Sequence, residues 1–199
     1  MTKPSQPELP ELVREAGMGG GDDAALGEAL TQLAPPAKAP PQLLRERLLA
    51  TVARPRLRFA PLFGKLAELF DLSDADLAGI FERAAAPGAW VTSQIPGTKL
   101  MHLEGGPRVA AADNGLVRLR AGARFPSHRH LGLERVLVLE GGYRDEPSGV
   151  LYLPGDRQEM VSGSSHSFVA LPERELLFAV SVVTGVDVEG FGTLSPSAG

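Results

Sequence analysis

The second half of the chain, from Trp90 onward, is a succession of short apolar segments separated by glycine and proline turns. Segments this short, with turns this frequent, predict an all-β sandwich or barrel. The predicted strands are GLVRLR (115–120), ERVLVLEGG (134–142), GVLYLPGD (149–156), HSFVAL (166–171), ELLFAVSVV (175–183) and VDVEGF (186–191).

One of these segments is apolar on both faces. In a strand, successive side chains point to opposite sides, so Val136 and Val138 share the face of Glu134, whereas Leu137 and Leu139 lie on the other face. The segment 175–183 also lacks a polar face. This pattern predicts that the outer side of the sheet is covered, either by the N-terminal part of the chain or by a second subunit.

The first part of the chain has the spacing of helices. Apolar residues recur at helical intervals in 22–34, 41–53 and 61–85, and a proline-rich stretch separates the first two of these segments. Ser73 followed by Asp76 is typical of a helix N-terminus, so 61–85 is predicted to be two helices. The predicted fold class is therefore α+β, with a helical region at 1–87 and an all-β barrel at 88–199.

Composition narrows the classes of function. The chain of 199 residues has a net charge of -4 and no cysteine, which excludes disulfides and thiolate metal sites and gives no reason to expect direct nucleic-acid binding. No apolar run approaches the ~18 residues that span a bilayer, so no membrane association is expected. The N-terminal segment MTKPSQPELPELVREAG is not apolar like a signal peptide, so we expect a cytoplasmic protein.

The chemistry of the sequence is concentrated in FPSHRHLGLERVLVLEGG, residues 125–142. His128 and His130 are two residues apart, which places both imidazoles on one face of a strand. Glu134 follows four residues later, and Gly132 allows a bulge that would return Glu134 to that face. His166, after a Gly-Ser turn, is the candidate fourth ligand. Three histidines and a glutamate are suitable ligands for Zn²⁺, Fe²⁺, Mn²⁺ or Ni²⁺. The alternative interpretation is that these histidines are ordinary surface or core residues, as single histidines usually are.

The spacing of these residues resembles the first cupin motif. In that motif a glycine is followed, after five residues, by two histidines that are separated by one residue. A glutamate comes four residues after the second histidine, and a glycine follows after six more residues. Gly122, His128, His130, Glu134 and Gly141 occupy these positions.

A second segment resembles the second cupin motif. Gly155, Gly163 and His166 are in place, but Val161 occupies the position of the motif's proline and Ala170 that of its asparagine. The resemblance covers roughly 88–192 and implies a jelly-roll barrel that holds one metal ion through His128, His130, Glu134 and His166. The cupin superfamily includes dioxygenases, isomerases, storage proteins and regulators, so the resemblance alone does not fix a function.

A narrower resemblance is to the cupin domain of ChrR-like anti-sigma factors. It is carried by GARFPSHRHLGLERVLVLEGGYRDE and GSSH, together with the proline-rich linker and helix at 35–53. The resemblance implies a zinc-binding sensor whose helical part holds a sigma factor. The family's helical domain carries its own zinc on histidines and cysteines, but this chain has no cysteine and no histidine before His102, so that zinc site is absent.

These features lead to one main expectation and two alternatives. The main one is a metal-binding cupin that acts in transcription regulation through a sigma factor held by residues 1–87. The alternatives are a mononuclear metal-dependent enzyme of dioxygenase type and a small-molecule-binding module without turnover. No residue is assigned a catalytic role, because the only further carboxylates near the motifs, Glu140 and Glu159, cannot be placed from the sequence. His102 is predicted to be a strand histidine that is not a ligand. A homodimer is expected.

Overall fold

The computed structural model of the protein describes residues 41–53 and 58–194. Within these ranges three α-helices precede the strands, and they are α1 (Gln42–Ala53), α2 (Phe63–Phe70) and α3 (Asp74–Ala84). Twelve strands follow, and they are β1 (Val91–Thr92), β2 (Thr98–Leu103), β3 (Asp113–Leu119), β4 (Arg124–His130), β5 (Glu134–Glu140), β6 (Tyr143–Asp145), β7 (Leu151–Tyr152), β8 (Arg157–Met160), β9 (Ser165–Ala170), β10 (Leu176–Val182), β11 (Val186–Val188) and β12 (Gly192–Leu194).

The strands form two six-stranded antiparallel sheets. The first sheet has the order β1-β2-β3-β10-β5-β8, and the second has the order β12-β11-β4-β9-β6-β7. Strands that are adjacent in the chain, such as β4 and β5, repeatedly belong to different sheets. The prediction of an α+β fold, with helices followed by an all-β sandwich, is confirmed.

The end of α2 and the start of α3 are each determined by a local feature of the chain. Asp71, at a φ of 57°, ends α2 in the left-handed conformation. The Ser73 hydroxyl accepts from the backbone N–H of Asp76 at 3.3 Å, and the Asp76 carboxylate accepts from the backbone N–H of Ser73 at 3.2 Å. This reciprocal cap starts α3 at Asp74, so the predicted division of 61–85 into two helices is confirmed.

The outer face of the first sheet is sealed by α2 and α3. Leu66 and Leu77 of the helices are fully buried against Leu137 of β5 and Ala179 of β10, within one continuous apolar cluster. The cluster places Leu139 on the same side. The covering layer predicted from the apolar outer face of β5 is therefore confirmed, and within the described residues the helices supply it.

The inner face of the same sheet lines the space between the two sheets. Val136 and Val138 of β5 pack with Phe178 of β10 and with Phe168 and Tyr143 of the second sheet. In the segment 175–183, predicted to be buried on both faces, this holds for the middle, where Leu176–Ala179 and Ser181 are buried, whereas Glu175 and Val183 at its ends are exposed. Residues from 48 onward form one compact unit that includes α2, α3 and both sheets, and the division of the chain between residues 87 and 88 stays a prediction.

Some predicted elements differ from the structure or lie outside its described part. The helix predicted over 22–34 belongs to the residues outside the described ranges. The strand predicted over 149–156 is reduced to Leu151–Tyr152, because a turn closes behind it: the backbone N–H of Leu153 donates to the Asp156 carboxylate at 2.8 Å, and Gly155 has a φ of 94°. No described helix has the length and apolar character needed to cross a bilayer.

Candidate metal centre

Two strands of the second sheet bring the three histidines of the predicted site together. His128 and His130 lie on β4 with their side chains inside the barrel, and Arg129 between them is exposed. His166, the second residue of β9, is the direct cross-strand partner of His128. The alternation predicted for His128 and His130 and the position of His166 at a strand start are both confirmed.

The three imidazoles form a compact buried cluster. Ring centroids are 4.5 Å apart for His128 and His166, 4.9 Å for His128 and His130, and 5.2 Å for His130 and His166. One nitrogen from each ring lies within 4.8 Å of the others, so that a single ion can be held between them. The exposed fractions are only 4%, 0% and 5% for His128, His130 and His166.

Two of the rings are oriented so that one nitrogen faces the cluster with a lone pair. Nδ1 of His128 is 3.0 Å from the carbonyl oxygen of Pro126, which can only accept, so Nδ1 carries the proton and Nε2 does not in the neutral ring. Nδ1 of His166 donates in the same way to the Asp145 carboxylate at 2.7 Å. A histidine held through one nitrogen presents the other for metal coordination.

Buried polar atoms without partners mark the centre. Among the described residues, Nε2 of His166 and both ring nitrogens of His130 are buried and have no hydrogen-bond partner. A buried polar group left unsatisfied costs about 1–3 kcal/mol, so such groups are rare in proteins. Three imidazoles with free nitrogens inside one cluster therefore fit a divalent metal ion, which would satisfy them together. The donor set does not by itself choose between metals.

The electrostatic setting favours the metal-binding form of His128. Burial lowers the pKa of His128 to about 4, and the neighbouring imidazoles of His166 and His130 act in the same direction. The carbonyl of Pro126 and the charge of Glu134 oppose this shift and are outweighed. His128 is therefore neutral near pH 7, and the neutral imidazole is the form that coordinates a metal.

Glu134 reaches the site by a different route from the one predicted. The prediction placed it on the strand of the histidines, past a bulge at Gly132, but β4 ends at His130 and Glu134 begins β5 in the opposite sheet. Gly132 lies in the connecting turn, where a Cβ would come within 2.2 Å of the Val183 carbonyl oxygen. Oε2 of Glu134 lies 3.4 Å from Nδ1 of His130. Glu134 is therefore next to the histidine cluster, but it does not belong to the group of three histidines whose nitrogens lie within 4.8 Å of one another.

Asp145 is a residue of the site that sequence reasoning missed. Its carboxylate accepts from Nδ1 of His166 and also from the backbone N–H of Ser148 at 3.0 Å. Burial raises the pKa of Asp145, but the hydrogen bonds from Ser148 and His166 outweigh it, and the pKa lies below its ordinary value. The sequence did contain a sign of its position: Asp145 is two residues from Tyr143, so in a strand both side chains lie on the same face, and both are buried on β6.

A cavity of about 440 Å³ opens beside the histidines. His128 and Glu134 lie at one part of its wall, so a bound molecule can approach the candidate metal ion. Aromatic and branched apolar side chains form most of the remaining wall, and these include Phe125, Phe168, Phe178, Val117 and Val180. A volume and lining of this kind are typical of small-molecule sites.

The other candidate residues lie away from the histidine cluster. Glu140 pairs with Arg58 and lies 3.6 Å from Arg174, and Glu159 pairs with Arg135 at 2.9 Å on the surface. His102 is outside the cluster, where its Nδ1 lies 2.9 Å from the Asp113 carboxylate.

Two antiparallel sheets around an inward-facing histidine cluster define a cupin barrel. The model of the family described as the ChrR cupin-like domain matches residues 84–183, which is half of the chain. The chain therefore belongs to the ChrR cupin-like domain family.

Solved structures with a similar course of the chain include proteins of different function. Rhodobacter sphaeroides SigE in complex with the anti-sigma ChrR is 24% identical, with 79% of this chain and 75% of that chain covered and a TM-score of 0.48. An acetylacetone dioxygenase from Acinetobacter johnsonii is 16% identical, with 56% and 83% covered and a TM-score of 0.47. KdgF from Halomonas sp. is 21% identical, with 47% and 84% covered and a TM-score of 0.40. No curated protein matches the chain in sequence.

Proposed function

We propose that this protein is a metal-binding regulator of transcription that acts like an anti-sigma factor, with the barrel as its sensing part. The observation that carries the proposal is the buried cluster of His128, His130 and His166, with free ring nitrogens, inside a ChrR cupin-like domain. The site combines a pocket for a signal with ligands for a metal, while Glu140 and Glu159, the further carboxylates near the motifs, are paired with Arg58 and Arg135.

The proposed metal centre consists of the three histidines and Glu134. Three imidazoles and one carboxylate suit Zn²⁺, which the family resemblance favours over Fe²⁺, Mn²⁺ or Ni²⁺. A bound ion would supply a Lewis acid to which an oxygen-bearing ligand can bind. Glu134 is the ligand most easily exchanged for an incoming molecule, because it comes from the opposite sheet and lies next to the cavity.

Strand β5 gives the proposed sensor a path from the metal to the helices. Its first residue, Glu134, faces the histidines, and Leu137 and Leu139 on its other face pack against α2 and α3. A movement of Glu134 therefore acts on the same strand that supports the helices. A signal changes the state of the protein only if it binds the two arrangements with different affinity, and displacement of Glu134 provides such a difference.

Helix α1 supplies an apolar surface for the proposed sigma factor within residues 1–87. The apolar residues that recur at helical intervals in 41–53 include leucines that are exposed in the structure, with exposed fractions of 46% for Leu44 and 55% for Leu48. Exposed leucines four residues apart on a helix are a common form of groove-binding surface. We therefore place the sigma-factor contact on this helix.

Affinity capture from the host organism tests this proposal. The intact chain should recover a sigma factor, and Leu48→Glu should reduce the recovery at least tenfold while the metal content stays unchanged. Val150→Glu introduces the same charge at an exposed position on a barrel turn and serves as the control. Capture without any sigma factor, or equal recovery by Leu48→Glu, would contradict the proposed role.

The cavity beside the histidines favours a second candidate function, a mononuclear metal-dependent enzyme of dioxygenase type or a binding module without turnover. The wild-type chain loaded with Fe²⁺ should then consume O₂ or convert a cavity ligand, and His128→Ala should not. If the protein is a regulator, neither the wild type nor His128→Ala should consume O₂ or convert a ligand.

The remaining expectations are a cytoplasmic location and a homodimer. The apolar outer face of β5 no longer argues for the homodimer, since α2 and α3 cover that face.

A further inference from the structure

Besides several uncharged polar side chains, the cavity wall has one His–Asp pair, which the proposed metal centre does not use. His102 and Asp113 both line the cavity, and Nδ1 of His102 lies 2.9 Å from Oδ1 of Asp113. The pair is more open to solvent than the metal centre, with side-chain exposed fractions of 48% for His102 and 24% for Asp113. The cavity thus has a buried polar end at the histidine cluster and an open polar group at this pair.

Strand register explains why these two residues face inward. On β2, Met101 and Leu103 pack in the apolar cluster with α2 and α3, so the alternate residues Leu100 and His102 face the other side of the sheet. His102 is therefore on the cavity side of the sheet.

The space beside the imidazole is kept open by a glycine. Gly115 on β3 is the direct cross-strand partner of His102 and also lines the cavity. A Cβ at this position would lie 3.0 Å from the Met101 carbonyl oxygen, a tight contact with the backbone of β2 that disfavours a larger residue. No side chain from this position therefore fills the cavity between His102 and the apolar wall.

The sheet also fixes the separation between the two polar groups. Asp113 is paired with Val182, and Val182 is paired with Glu134 on the far side of the same strand. Two strand spacings of about 4.8 Å each place the backbones of Asp113 and Glu134 about 10 Å apart, and the backbone of His102, on the next strand β2, lies one strand further from Glu134. Apolar side chains, among them Val180 and Val182, line the cavity as well.

The charge of the cavity wall limits what the second group can recognise. None of the described residues that line the cavity is a lysine or an arginine. The wall therefore has no permanently charged cation to bind a second anionic group of a ligand. The Asp113 carboxylate accepts the Nδ1 proton of His102, which leaves Nε2 as an acceptor in the neutral ring. A hydroxyl group is the natural partner, because its proton can be donated to that nitrogen.

We propose that the His102–Asp113 pair is a second binding site for a two-ended small molecule, whose one end is an oxygen ligand to the metal and whose other end is a hydroxyl group across an apolar body. The inference rests on the proposed metal centre and adds the chemical class of the signal. His102 determines specificity by contact with the far end of the molecule, and Asp113 positions the imidazole.

A matched pair of probes tests this site. The full chain is loaded with Co²⁺, whose visible absorption reports a change of ligands at the metal, and is titrated with octanoate and with its terminally hydroxylated analogue. The wild type should bind the hydroxylated analogue about threefold to tenfold more tightly, as expected for one added hydrogen bond. His102→Phe should abolish the preference, and His102→Gln, whose amide can still bond a hydroxyl, should restore part of it.

Two further measurements separate the possible failures. Lys99→Ala, at an exposed position on the same strand, is the control and should keep the preference. In the wild type, the imidazole NMR signals of His102 should shift with the hydroxylated analogue and stay unchanged with octanoate. Equal affinities for the two probes, or an unchanged preference in His102→Phe, overturn the second binding site alone. A full chain that binds no Co²⁺ overturns the metal centre, and this proposal with it.

Discussion

The two faces of the first sheet look alike in sequence and serve different purposes in the structure. The outer face is apolar throughout its contact with α2 and α3 and forms a closed core. The inner face is apolar as well, but it is interrupted by Glu134, Asp113 and His102 around an open cavity. Burial on both faces therefore identifies a central strand of the sheet. The position of the few polar residues identifies the face that lines the cavity.

The largest expected effect tests the outer face. Leu137 has an exposed fraction of 1% and packs in the cluster with α2 and α3. Leu137→Ala should lower the free energy of unfolding by about 2–5 kcal/mol, because it leaves a cavity in a closed core. Urea unfolding measures this loss, and the folded variant should bind metal as the wild type does. A loss below that of the exposed Arg135→Ala control would contradict the assignment of this face.

The next effect tests the inner face and its histidines. His166→Ala removes one of the three imidazoles of the cluster, and metal affinity should fall more than about 100-fold, beyond the loss seen when only an orienting partner is removed. Competition with a chelator measures the affinity. His102→Ala is the matched control, since His102 lies outside the cluster and should leave the affinity unchanged.

A smaller effect is expected for the residue that orients His166. Asp145→Asn keeps the size of the side chain but weakens the hold on Nδ1 of His166, so metal affinity should fall about 10-fold to 100-fold. Glu146→Gln alters the adjacent carboxylate, which binds Arg124 at 2.8 Å instead of a histidine. The same loss in both variants would show a general charge effect and refute the orienting role.

The smallest effect returns to the helices of the outer face. Ser73→Ala removes the side chain that caps α3, and the free energy of unfolding should fall by about 1 kcal/mol. Ser73→Thr retains the hydroxyl and should behave nearly as the wild type. Thermal or urea unfolding measures both variants, and neither should change the amount of metal bound per chain.

Local patterns in the sequence predicted the parts of the fold that depend on neighbouring residues. The cap at Ser73 and Asp76 located the start of α3, because both partners lie within one turn. The spacing of His128 and His130 predicted a shared face, because strand alternation is a property of the backbone itself. The two apolar faces of β5 predicted a covering layer and left open whether helices or a second subunit would supply it.

Features that depend on pairing between distant strands were beyond such patterns. The sequence could not show that the chain changes sheets between His130 and Glu134, so the glutamate was placed on the strand of the histidines. The contact of Asp145 with His166 joins residues on two paired strands, β6 and β9, and periodicity gives the face of a residue without giving its cross-strand neighbour. The cavity is likewise a product of packing between the two sheets.

The most direct test of the central claim is anomalous diffraction from crystals of the full chain grown with Zn²⁺. We expect one anomalous peak per chain at the histidine cluster, about 2.0–2.1 Å from one nitrogen each of His128, His130 and His166, with a Glu134 oxygen as a further ligand. A peak at another location, or no peak at the cluster with Zn²⁺ in excess, would contradict the metal centre on which the proposed sensing depends.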